Sequence, residues 1–100
     1  MLLLGISKYP MQSTKAVVKR MMEIPRLPEY IKGKGNYVYT NEEGVVNLII
    51  YEFDSAKADE AITQINNGYW RFHDVPGHNH QLIQLAQARD AAKNFLELVK

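Results

Sequence analysis

Apolar residues recur along this chain in two rhythms, one suited to strands and one to helices. Leu2 to Tyr9 (LLLGISKY) is a short apolar run containing Ile and Tyr, closed by Pro10, which lacks the amide proton that a ladder needs. It predicts a strand covered on both faces or nearly so. Ser13 then offers a side-chain oxygen to cap a helix. Beyond it, Val17, Val18, Met21, Met22 and Ile24 fall at the three-to-four spacing that gathers side chains on one stripe. That helix stops before Pro25. IPRLPEYIKGKG, residues 24 to 35, holds two prolines and two glycines and reads as a long connector.

Asn36 to Thr40 and Val45 to Asp54 are rich in β-branched and aromatic residues, which suits two strands. Between them Asn41-Glu42-Glu43-Gly44 fits a type I turn with Gly44 in the left-handed position of a bulge, so the two strands form a hairpin. Asp54 or Ser55 caps a second helix, in which Ala58, Ala61, Ile62 and Ile65 follow the i, i+3, i+4, i+7 pattern and Asn67-Gly68 supplies a left-handed exit. His80 to Ala86 reads as a fourth strand. Asp90 to Val99 reads as a last helix with Ala91, Phe95 and Leu98 turned inward.

The order β-α-β-β-α-β plus a C-terminal helix implies an α+β fold. Two split βαβ units build a four-stranded antiparallel sheet with both long helices on one face, the ferredoxin-like arrangement, as one domain over residues 1–100. The other face of such a sheet is open. With a three-residue hairpin turn, Tyr37 and Tyr39 share a face with Val45, Asn47, Ile49, Tyr51 and Phe53, while Val38, Val46, Leu48 and Ile50 lie beneath the helices. The aromatic set is too large to leave in water, and a second copy of the chain is its expected cover. A slip of one residue in the turn would exchange the faces of one strand.

Composition narrows the functional classes. Twelve Lys+Arg against 11 Asp+Glu leave no field to draw the chain to nucleic acid or an anionic membrane, so neither is an expected partner. With no cysteine there is no disulfide, thiolate nucleophile or Cys-ligated metal. The apolar opening MLLLGI is too short to span a bilayer and lacks the basic start of a signal peptide, so a cytoplasmic protein is expected.

The strand-helix-hairpin-helix plan, the IYEFD third strand (Ile50 to Asp54) and the VPG turn (Val75-Pro76-Gly77) resemble the small dimeric α+β barrel proteins of the ferredoxin-like class. The likeness covers nearly the whole chain through short motifs. It implies a homodimer with two sheets packed face to face. That group includes cofactor-independent monooxygenases, haem-degrading enzymes and isomerases, so it implies fold and dimer more than reaction.

The segment YWRFHDVPGHNHQ, residues 69 to 81, holds all three histidines. His78 and His80 share a strand face, and His73 with Asp74 could complete a metal site; polar residues clustered around one turn are the simpler account, and no metal is assigned. Trp70 and His80 are similar to the partners used in haem-degrading enzymes. Pro76 and Gly77 interrupt them, however, Ser7 stands where an Asn is expected, and Trp70 suits the rim of the core. Lys32-Gly33-Lys34-Gly35 lacks the Ser/Thr and helix of a phosphate loop, and Met11, Met21 and Met22 read as core filling. No Ser-His-Asp order stands out, and no cofactor is implied.

The remaining candidate is a small-ligand pocket with Tyr9, Tyr37, Tyr39, Asn47, Tyr51, His78 and His80 as polar handles, set against a dimer interface built from the same tyrosines. The expected function is an interaction or small-ligand-binding module that takes an apolar or aromatic molecule. The alternative is a cofactor-independent monooxygenase or isomerase working in a cleft lined by Tyr37, Tyr39, Asn47 and His80.

Overall fold

A computed structural model describes residues 1–98 of the protein, with side chains through residue 93. The first apolar run forms β1 (Leu2–Tyr9), and α1 (Thr14–Met21), β2 (Lys32–Asn41), β3 (Gly44–Glu52), α2 (Ala58–Trp70), β4 (Asn79–Leu85) and α3 (Ala88–Leu98) follow in chain order. The strands lie in the order β2-β3-β1-β4, and every neighbouring pair is antiparallel. This is the ferredoxin-like fold, with α1 and α2 on one face of the sheet. Among the described residues no helix is long and apolar enough to cross a membrane.

The hairpin differs from expectation by one residue. Asn41 pairs directly with Gly44, so only Glu42 and Glu43 form the loop. The Asn41 side-chain oxygen accepts from the Glu43 amide at 2.9 Å and the Gly44 amide at 3.1 Å, which closes the turn early. Gly44 has φ +135°, and a Cβ there would lie 2.3 Å from the Tyr9 carbonyl oxygen, so the tight turn tolerates little else. The shift exchanges the faces of the third strand. Val45, Asn47, Ile49 and Tyr51 point toward the helices, in line with Tyr9, Ser7, Gly5 and Leu3 of β1. Tyr37 and Tyr39 pair with Leu48 and Val46 on the open face, where they are 63% and 51% exposed.

Two buried clusters hold the helix side. Leu3, Tyr51 and Phe53 from the sheet side meet Ala61, Ile65 and Tyr69 of α2, joined by Ile31 from the connector. Ala61, Ile65 and Tyr69 are spaced i, i+4, i+8, and this stripe carries α2 straight through Gly68 to Trp70. Gly68 is therefore not the left-handed exit: the positive-φ glycines are Gly44 and Gly77. Val17, Phe72 and Val75 form the second cluster, beneath the VPG turn. Asp54 caps the turn before α2 by accepting from the Ala56 amide at 2.9 Å.

Ser13 does not cap α1. Its buried hydroxyl donates instead to the Pro76 carbonyl at 2.6 Å, tying the start of α1 to the VPG turn. Only Val17 of the expected α1 stripe is buried. Val18, Met11, Met21 and Met22 are exposed, so the methionines do not fill the core. Lys32 to Gly35 belong to β2, with a bulge between Gly33 and Gly35 and Lys34 paired to Glu52 at 3.6 Å, which leaves no anion cradle there.

The open face carries Leu2, Leu4 and Ile6 of β1, Leu48 and Ile50 of β3, and Ile83 and Leu85 of β4, beside the two tyrosines. In α3, Ala91 is half-buried and the other residues from Ala88 to Lys93 are exposed; the inward placement expected for Phe95 and Leu98, and Val99, lies outside the described residues.

Candidate functional site

A cavity of about 180 Å³ lies between the helix face of the sheet and the two helices. Ser7, Tyr9, Asn47, Ile49 and Tyr51 form its floor, because the alternation of β1 and β3 turns these positions toward the helices. Val17 and Met21 of α1 and Ile65, Gly68, Tyr69 and Phe72 of the α2 segment form its walls. Ile24 and Leu27 close it from the connector, which gives that Pro-rich stretch a structural role. The lining is almost wholly apolar. Met21 both lines the cavity and is half exposed, which places the opening beside the end of α1.

Two hydrogen-bonded pairs supply the polarity. The Ser7 hydroxyl lies 2.6 Å from His78 Nε2, and with the ring proton on Nδ1 the hydroxyl donates to that nitrogen. Three successive turns, closed by Phe72, His73 and Val75 amides, carry the chain from α2 to the VPG turn. The His78 amide then donates to the Val75 carbonyl at 3.1 Å. Gly77, at φ +74°, makes this turn possible; a Cβ there would also lie 2.6 Å from the Pro10 ring. The imidazole stacks on Phe72 at 4.8 Å and Tyr9 at 6.3 Å between ring centroids. Burial lowers the His78 pKa from its ordinary value, and the neighbouring charge of His80 lowers it further. The ring is thus neutral at pH 7, free to accept a proton.

The second pair is Tyr51 and Tyr69, whose hydroxyls are 3.0 Å apart. Burial raises both phenols above their ordinary pKa; for Tyr51 the neighbouring Tyr69 adds to the rise, while the shared bond lowers Tyr69 in part. Both remain protonated donors at neutral pH. They sit over Gly5, where a Cβ would lie 2.2 Å from the Tyr69 hydroxyl oxygen and 3.1 Å from the Tyr51 ring. A bare backbone at position 5 is what lets the phenols reach the floor.

Of the seven expected handles, Tyr9, Asn47 and Tyr51 line the cavity, and His78 stands behind it through Ser7. His80, which is not in the cavity lining, stacks on the Tyr69 ring at 5.1 Å and bonds Asn66 through Nε2 at 2.9 Å. Burial lowers its pKa as well. Tyr37 and Tyr39 are on the opposite face, so the cleft expected from Tyr37, Tyr39, Asn47 and His80 does not assemble. Trp70 is 58% exposed and touches the His80 ring edge-on instead of filling the core rim. His73 Nδ1 bonds the Trp70 carbonyl at 2.8 Å and Asp74 pairs with Arg20, which separates them from His78 and His80. Among the described residues no group of three metal-ligating side chains converges.

Ser7 and Tyr69 are the polar site residues that pattern reading passed over. The signal for Tyr69 was its place on the Ala61-Ile65 stripe; for Ser7 it was a hydroxyl at an inward position of an apolar strand. No protein-family model matches the chain, and no curated protein sequence matches it either.

Proposed function

We propose that this chain is a small-ligand-binding protein of the dimeric α+β barrel kind, a cytoplasmic homodimer that holds an apolar or aromatic molecule between its sheet and its helices. The observation that carries this reading is the apolar cavity with polar pairs at its floor. Its volume, about 180 Å³, compares with the roughly 150 Å³ apolar cavity that accepts benzene, so one ring or a short branched chain fits. The Ser7 hydroxyl, the Asn47 amide and the phenol pair favour a ligand that carries one hydrogen-bonding atom at one end.

Dimerisation is the second half of the proposal. Leu2, Leu4, Ile6, Leu48 and Ile50 make the open face continuously aliphatic, and Tyr37 and Tyr39 extend it.

Titration with phenol, p-cresol and indole, followed by heteronuclear NMR, tests the ligand reading. Saturable shifts are expected at Ser7, Asn47 and Tyr69. No response there at millimolar probe removes it. A second reading, a cofactor-independent monooxygenase or isomerase using the same cavity, is favoured by the neutral imidazole of His78, which reaches the lining through the Ser7 hydroxyl as a proton relay. Oxygen uptake or product formation from a bound probe, lost in His78→Gln, is its expected signature.

A further inference from the structure

We propose that Ser7 is a nucleophile, activated by His78, for acyl transfer from a small apolar ester or thioester held in the cavity. The inference rests on the ligand-binding reading of that cavity and adds a reaction to it.

The order of the groups carries the argument. Ser7 lines the cavity, whereas the His78 ring lies behind it, 2.6 Å from the hydroxyl oxygen. A base that removed a proton from the ligand directly would have to stand at the wall. A nucleophile and its base stand in the order found here, with Ser7 in the cavity lining and the imidazole behind it. The two ring stacks and the Val75 hydrogen bond hold Nε2 on that hydroxyl.

A carbonyl oxygen also has a place to go. Two phenol hydroxyls share one hydrogen bond, so one hydroxyl proton of the Tyr51 and Tyr69 pair is left to donate. The pair lies over Gly5, two positions before Ser7 on the same strand face, or about 6.6 Å away by strand rise. A carbonyl carbon at roughly 3 Å from the nucleophile, with its oxygen about 2.8 Å from a phenol, spans that interval. The donor would therefore act on the oxyanion as it forms.

The Ser7 oxygen adds to the carbonyl carbon while its proton passes to His78 Nε2, and the carbonyl π pair moves onto the oxygen. Collapse expels the alcohol or thiol, which takes the proton from His78 and leaves an acyl ester on Ser7. Water, deprotonated by the same imidazole, then adds to that ester; collapse expels the Ser7 oxygen, which takes the proton back from His78, and the acid is released. Asp74, the acid nearest in sequence, is paired with Arg20, so the imidazole works without a carboxylate partner and turnover is slow.

The test uses the full chain with diisopropyl fluorophosphate and with p-nitrophenyl acetate, and p-nitrophenol as a binding probe by NMR. The expected result is a single phosphoryl adduct mapped to Ser7 by mass spectrometry. Ester hydrolysis should be lost in Ser7→Ala and slowed about 100-fold or more in His78→Gln. The Ser7→Ala protein, its fold checked by its NMR spectrum, should form no adduct. Wild-type protein that binds p-nitrophenol but forms no adduct overturns the nucleophile and leaves the ligand reading standing. An adduct mapped elsewhere does the same. If p-nitrophenol shifts no cavity resonance, the ligand reading fails and the acyl-transfer proposal falls with it.

Discussion

Replacing Gly5 by alanine probes the closest approach in the site. The new Cβ would stand 2.2 Å from the Tyr69 hydroxyl oxygen and 2.9 Å from Cζ, well inside contact distance. His80 stacks on one face of the Tyr69 ring at 5.1 Å, so the ring cannot swing toward that side. Moving the Tyr69 hydroxyl off the new Cβ strains or breaks its 3.0 Å bond to Tyr51. Overpacking strain of about 1–3 kcal/mol and loss of a buried hydrogen bond, about 1 kcal/mol, oppose the roughly 0.5–1 kcal/mol gained by replacing glycine in a strand. The net expectation is a destabilisation of about 1–3 kcal/mol, or a melting temperature lower by roughly 10 °C. Urea denaturation followed by near-ultraviolet circular dichroism reads both stability and the tyrosine environment. Tyr69→Phe removes the nearest atom, so Gly5→Ala combined with Tyr69→Phe should lose less than the sum of the two single changes. A Gly5→Ala protein as stable as wild type, with an unchanged tyrosine signal, would refute the close-approach argument.

Further outcomes follow from other parts of the molecule. Burial, and for His78 also the charge of His80, holds both rings below the ordinary pKa of 6.5. The unfolded chain therefore takes up protons first. Stability should fall as pH drops below about 6.5, level off below the native pKa values, and be independent of these rings above about pH 7.5. Urea midpoints between pH 7.5 and 5.5 measure this, with a shallower decline in His78→Gln; a midpoint that rises on acidification contradicts it. Ser13→Ala leaves the Pro76 carbonyl without its 2.6 Å partner, for an expected loss of about 1–2 kcal/mol and faster hydrogen exchange at the His78 amide. Leu48→Arg places a charge on the open face and should turn a dimer into a monomer by analytical ultracentrifugation, with the cavity probes still bound. A wild-type monomer at high micromolar concentration removes the dimer proposal.

The element plan was legible from local pattern. Leu2 to Tyr9 is the observed first strand residue for residue, and the remaining elements begin and end within a few positions of their expected places except at β2, which starts at Lys32. Hydrophobic period and turn residues decide such things, because they act over a few neighbouring positions. The strand order follows from the same plan through the handedness of the two crossovers.

Which face each strand residue occupies was a different matter. It depended on whether Asn41 met Gly44 or Val45, a difference of one residue that local pattern does not resolve but the packing of Tyr51 and Phe53 against Ala61 and Ile65 does. The same packing separated the seven candidate handles, sending Tyr37 and Tyr39 to one side of the sheet and Tyr9, Asn47 and Tyr51 to the other. Ser7 and His78 are 71 positions apart, and no spacing rule joins them. Pairing of β4 with β1, together with the VPG turn anchored by Ser13, brings that hydroxyl and that imidazole together. Periodicity specified the strands and helices because it is a property of neighbours; the site came from contacts between distant segments, which exist only once the sheet has closed.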